Sequence, residues 1–153
     1  MISKGMHLIS QSADDTRAIA TKFADTIRAQ MPGRTSALVI ALRGDLGAGK
    51  TTFTQGLSHA LGITQMPKSP TFLLAKEYSI PTTSYALWHL DCYRLTGHQD
   101  LVTLDLHHIF EVPTNIVLIE WPEKIGEGVP RDHIEIHFEH SGGDKRSIII
   151  SGV

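Results

Sequence analysis

One glycine-rich stretch, Gly44-Asp45-Leu46-Gly47-Ala48-Gly49-Lys50-Thr51-Thr52, constrains this chain more than any other. It satisfies the phosphate-loop pattern G-x-x-x-x-G-K-[ST]. Its flanks agree with the pattern. Leu38-Val39-Ile40-Ala41-Leu42 is an apolar run of strand length just before it. Phe53, Leu57, Ala60 and Leu61 follow at helical spacing, and Gly62 is a helix-stop signal. In a strand–loop–helix unit the glycines let the backbone approach an anion closely. Successive N–H groups then form a concave nest, and the positive end of the next helix points into it. The expected ligand is a nucleotide held by its phosphates. Lys50 reaches the outer phosphates and the Thr51 hydroxyl serves Mg²⁺ in this reading.

The bulk numbers narrow the setting. A chain of 153 residues that is 41% hydrophobic and 20% charged is expected to form a single domain, residues 1–153. With 14 basic and 16 acidic residues the net charge is −2, and there is no dense Lys/Arg run. That argues against free-standing nucleic-acid binding through the chain's own field. Cys92 is the single cysteine, which fits a reducing compartment. No signal-like apolar core and no run of membrane length are seen, so a cytoplasmic location is expected.

Helical and strand patterns interleave along the chain, which predicts the α/β class. His7-Leu8-Ile9 reads as a short strand, and Ser12 with Asp15 as a helix start. Ile19, Ala20, Phe23, Ala24 and Ile27 form one apolar stripe that Pro32-Gly33 ends. Leu73 to Ile80 and Tyr85 to Leu90 read as strands around a Pro81-Thr82-Thr83 turn. His98 to Leu104 reads as helical, Ile116 to Ile119 as a buried strand, and residues 122–130 as a loop. Ile134, Ile136 and Phe138 alternate with polar residues, and Ser141-Gly142-Gly143-Asp144 turns the chain into a last strand, Ser147 to Ser151.

A phosphate loop alone binds; hydrolysis needs carboxylates near the metal and the attacking water. In open α/β sheets ligands sit at the carboxyl ends of the strands. Two apolar strands here end in an acid, Leu87-Trp88-His89-Leu90-Asp91 and Ile116-Val117-Leu118-Ile119-Glu120. Both fit the delivery of a carboxylate from a rigid strand to Mg²⁺ or to water. Thr71 follows Pro70, which stiffens the loop, and its hydroxyl is either a sensor of nucleotide state or an ordinary polar turn.

Taken together, Gly44–Thr52, Ser69-Pro70-Thr71-Phe72, His89-Leu90-Asp91-Cys92-Tyr93-Arg94-Leu95 and Ile119-Glu120-Trp121-Pro122-Glu123 resemble the bacterial TsaE/YjeE ATPases. Order, spacing and length match over nearly the whole chain. The resemblance implies a phosphate-loop NTPase-like, mostly parallel sheet flanked by helices, with a C-terminal antiparallel hairpin. It implies ATP and Mg²⁺ as ligands, Thr51 and Glu120 at the metal, and Asp91 as a second catalytic acid. It sets Trp121 and Arg146 near the nucleotide, Ser12 and Ala13 near the base, and Thr71 in a switch-like loop. The family acts in forming threonylcarbamoyl-adenosine in tRNA without transferring the group itself. Its partners are a carbamoyltransferase-like protein and a pseudo-enzyme, so tRNA is met only indirectly. Two departures stand out. Cys92 replaces a larger apolar residue, and residues 101–108 lack the family's glutamate-rich pattern.

Other residues read more plainly. Trp88 and Tyr93 suit packing, and Arg94 suits an ion pair, a phosphate contact or a partner contact. Asp45 suits a loop-stabilising role. His133, Glu135, His137 and Glu139 share one strand face by period 2 and read as a solvated face rather than a metal site. Two other function classes share the loop: a small-molecule kinase, and a nucleotide-gated binding module with little catalysis. A kinase usually needs an arginine-bearing lid. The arginines at 17, 28, 34, 43, 94, 131 and 146 are scattered.

Overall fold

The computed structural model describes residues 5–65 and 75–152. Strand β1 (Met6–Ser10) leads into helix α1 (Ala13–Gln30). The Ser12 side chain accepts from the Asp15 backbone N–H, as expected of an N-cap. Asp15 answers from Gln11, whose backbone N–H donates to its carboxylate at 2.9 Å. Strand β2 (Leu38–Arg43) feeds the glycine loop and helix α2 (Lys50–Ala60). Then come β3 (Ala75–Ser79), β4 (Ala86–Asp91), the short helix α3 (Gln99–Thr103), β5 (Asn115–Glu120), β6 (Ile134–His140) and β7 (Arg146–Ser151). The stretch read as a loop after Glu120 contains short 3-10 turns at Pro122–Lys124 and Gly126–Gly128. Among the described residues no helix is long and apolar enough to cross a membrane.

The described strands form one mixed sheet in the order β1-β7-β6-β2-β5-β4-β3. Its centre is parallel, with β2 between β6 and β5 and β4 beyond β5. The edges are antiparallel: β3 on β4, and the β6–β7 hairpin extended by β1. Central parallel strands are covered on both faces and so read as continuous apolar runs. β5 fits this rule, because all its residues are buried.

Strand periodicity divides the core in two. Leu38, Ile40 and Leu42 of β2 and Ile116 and Leu118 of β5 face α1 and α2. Val39, Val117 and Ile119 face the other way, onto a layer that includes Leu101 and Ile109. On the first face, Phe53 is 5.7 Å from Phe23 and 5.4 Å from Phe138, centroid to centroid, so one aromatic row ties α1, α2 and β6 together. Gly56 lets the two helices close up. A Cβ there would lie 2.9 Å from the Arg17 Cα. This contact brings the start of α1 beside the glycine loop.

Candidate functional site

The glycine loop leaves β2 at Gly44, whose φ is 141°. A Cβ at Gly44 would meet the Phe138 carbonyl oxygen at 2.5 Å, so β6 leaves no room for a side chain. Gly47 and Gly49 also have positive φ, and Gly49 is the left-handed N-cap of α2. It offers no side-chain cap to the first turn of α2. Exposed N–H groups of such a turn attract anions.

The loop and the strand ends enclose one cavity of about 220 Å³. Leu46, Gly47, Gly49, Lys50, Thr51 and Thr52 line it from the loop side. Asp91, Glu120 and Trp121 line it from the ends of β4 and β5. Ser12, Ala13 and Thr16 contribute from the start of α1, and Asp144 and Arg146 from the hairpin. Gly44, Asp45 and Ala48 are not part of the lining. Asp45 instead serves the loop itself, its carbonyl accepting from the Ala48 N–H at 3.1 Å. Thr71 lies outside the described residues.

Lys50 is buried, and its ammonium donates to the Gly44 carbonyl. It also sits 3.6 Å from the centre of the Trp121 ring. Burial pulls its pKa below the usual lysine range, against the opposing pull of Glu120, Glu123, Asp91 and Asp45. An anion reaching Lys50 would replace a neutral carbonyl with a charged partner. Trp121 holds its position through a left-handed backbone, φ 57°, a conformation that costs a non-glycine residue roughly 1–3 kcal/mol. Its ring is also braced edge-on by Tyr93 at 5.2 Å. Strain of this kind beside a cavity is characteristic of ligand sites.

Asp91 and Glu120 are register partners in the parallel β4–β5 ladder. The Asp91 carboxylate accepts from the Tyr93 backbone N–H at 3.0 Å. Glu120 is buried and hydrogen-bonds to His89 Nε2 at 2.7 Å. Thr51 and Glu120 carry side-chain oxygens and line the cavity. Oxygen is the donor type that Mg²⁺ takes, and Mg²⁺ commonly uses one or two carboxylates with water and phosphate completing its shell. The residues present therefore fit that ion. Arg146 caps the loop from outside, donating to the carbonyls of Gly143 and Lys145 at 3.0 Å and of Gly47 at 3.2 Å.

His89 and Asp144 did not stand out in the sequence. Period 2 along β4 could have flagged His89, two positions before Asp91 on the same face. Asp144 sits in the hairpin turn, where sequence carries no signal of what the turn faces. Arg94 is exposed, makes no ion pair among the described residues and does not line the cavity. Trp88 packs against the second core layer, as expected, with its indole N–H buried and without a hydrogen-bond partner among the described residues. The β6 face read as solvated is partly covered. Arg43 Nε lies 2.9 Å from Glu135, and Arg43 and His133 outweigh burial to hold the Glu135 carboxyl below its usual range. Among the described residues no cluster of three or more His, Cys, Asp or Glu side chains could hold a metal ion.

A family model described as threonylcarbamoyl adenosine biosynthesis protein TsaE matches residues 10–148. The chain is 36% identical over 140 residues to the tRNA threonylcarbamoyladenosine biosynthesis protein TsaE of Bacillus subtilis, covering 92% of this chain and 81% of that protein. It is 30% identical over 146 residues to the protein of the same name from Treponema pallidum, covering 95% of this chain and all of the relative. Among solved structures it is similar to the crystal structure of Bacillus subtilis YdiB, with a TM-score of 0.75 and 30% identity over the whole chain and 89% of the other. Matches of this extent, with the family model running from the end of the first strand into the last, show that this chain belongs to the TsaE family.

Proposed function

We propose that this chain is the ATP-binding and ATP-hydrolysing subunit of the machinery that forms threonylcarbamoyl-adenosine in tRNA. The names of its relatives support the pathway. One observation carries the chemistry: the lysine of the glycine loop and two strand-end carboxylates line the same cavity. The loop backbone and Lys50 hold the phosphates, with Arg146 at the outer edge. Thr51 and Glu120 hold Mg²⁺, which, when bound, neutralises charge developing on the phosphate oxygens. Asp91, braced by the Tyr93 N–H, orients the attacking water. Trp121 lies beside the nucleotide, and Ser12, Ala13 and Thr16 border its base end. Thr71 is assigned a switch role by family resemblance.

No residue here is asked to carry a threonylcarbamoyl group. Hydrolysis is read as changing the state of two partner proteins, a carbamoyltransferase-like subunit and its pseudo-enzyme companion, in the cytoplasm. The test is ATP turnover measured with and without those two proteins. Stimulation by the pair is expected. No stimulation and no co-purification would favour a kinase or a nucleotide-gated module.

A further inference from the structure

His89 is a buried residue beside the site to which the motifs assign no role. Its side chain is 3% exposed and its Nε2 lies 2.7 Å from Glu120 Oε2, itself on a side chain 7% exposed. A carboxylate only accepts, so Nε2 carries the hydrogen and donates it. The bond crosses from β4 to β5, where His89 pairs in register with Leu118 and Asp91 with Glu120. Side chains at 87, 89 and 91 share one strand face: Leu87 packs in the core, His89 is buried, and Asp91 meets the cavity. His89 does not line the cavity. Its route to the chemistry runs through Glu120, which does.

We propose that His89 is a positioning residue for Glu120. Its Nε2–H fixes one carboxylate oxygen against rotation, which leaves Oε1 for the divalent cation. The inference rests on the assignment of Glu120 to the metal. The physical basis is orientation. A carboxylate held by a donor loses rotamer freedom before the cation arrives, so less is lost on binding. Partners of this kind behind a metal ligand are typically worth about 10–100-fold in metal affinity. A pair that served packing alone would weaken stability when broken but would not discriminate between metal-bound and metal-free binding.

The test measures ADP affinity by calorimetry, in Mg²⁺ and in EDTA, for the unmodified chain and for His89→Ala, His89→Asn and His89→Gln. The glutamine amide nitrogen falls near the place of Nε2, whereas the shorter asparagine does not reach. The unmodified chain should gain affinity from Mg²⁺. His89→Ala and His89→Asn should lose about tenfold or more of that gain, with affinity in EDTA changed by less than twofold, and His89→Gln should keep most of it. Should His89→Ala fail to fold, the Asn and Gln variants carry the comparison. A full Mg²⁺ gain in His89→Asn would overturn the proposal, as would equal losses with and without Mg²⁺. Absence of any Mg²⁺ gain in the unmodified chain would instead overturn the metal assignment of Glu120, and the proposal with it.

Discussion

Asp91 and Glu120 end neighbouring parallel strands as register partners, so two carboxylates arrive side by side at the mouth of one cavity. Their surroundings differ. Glu120 is buried against His89, whereas Asp91 is half-buried and braced by the Tyr93 backbone. Like-charged neighbours in unlike settings suit unlike roles, one at the metal and one at the water.

That difference predicts separable defects. Asp91→Ala should lower hydrolysis by roughly 100-fold or more, in the range of a lost general base, while nucleotide affinity stays within a few-fold. Glu120→Ala should cost Mg²⁺-dependent affinity first. Single-turnover hydrolysis and metal titrations distinguish the two. Equal losses of binding and hydrolysis in Asp91→Ala would count against its role at the water.

The loop geometry predicts that two glycines respond differently to the same change. Gly33 has φ 78°, and beyond its chain neighbours no atom of the described residues lies within 4 Å of an added methyl, so Gly33→Ala carries only backbone strain, about 1–2 kcal/mol. Gly44→Ala adds a clash with the Phe138 carbonyl at 2.5 Å. It should melt several degrees below Gly33→Ala and bind nucleotide more weakly. Thermal unfolding of both variants decides this, and equal melting points would contradict the packing of β6 against the loop.

Cys92 is fully buried, and burial, with Asp91, Glu123 and Glu120 nearby, pushes its thiol up to about 12. At pH 8 the thiolate fraction is then about one in ten thousand. The folded protein should resist alkylation at pH 8 and react only after unfolding in denaturant. Rapid stoichiometric labelling of the folded chain would contradict the burial of this strand end.

Much of the fold and site is legible in the sequence. The glycine loop sits between an apolar strand and a helix whose buried face includes Phe53 and Leu57, and Ser12 caps α1 as its spacing with Asp15 predicts. Asp91 and Glu120 end strands because apolar runs of strand length stop there. What stays hidden depends on pairing between distant segments. The bond from His89 to Glu120 spans 31 positions and needs the β4–β5 register. Ser12 and Thr16 border the cavity because Gly56 admits α1 against α2, a contact no local pattern encodes. The order of the sheet is likewise tertiary. β6 lies beside β2 in parallel although the chain visits β3, β4 and β5 between them.

Every role proposed for the site depends on Lys50 and the glycine loop holding nucleotide phosphates. The decisive experiment is ATP and ADP affinity by calorimetry for the unmodified chain and Lys50→Ala, with thermal unfolding of both to confirm folding. Measurable binding by the unmodified chain is expected, with a loss of at least about tenfold, 1.4 kcal/mol, in the variant. Unchanged affinity in a folded Lys50→Ala protein would contradict the assignment.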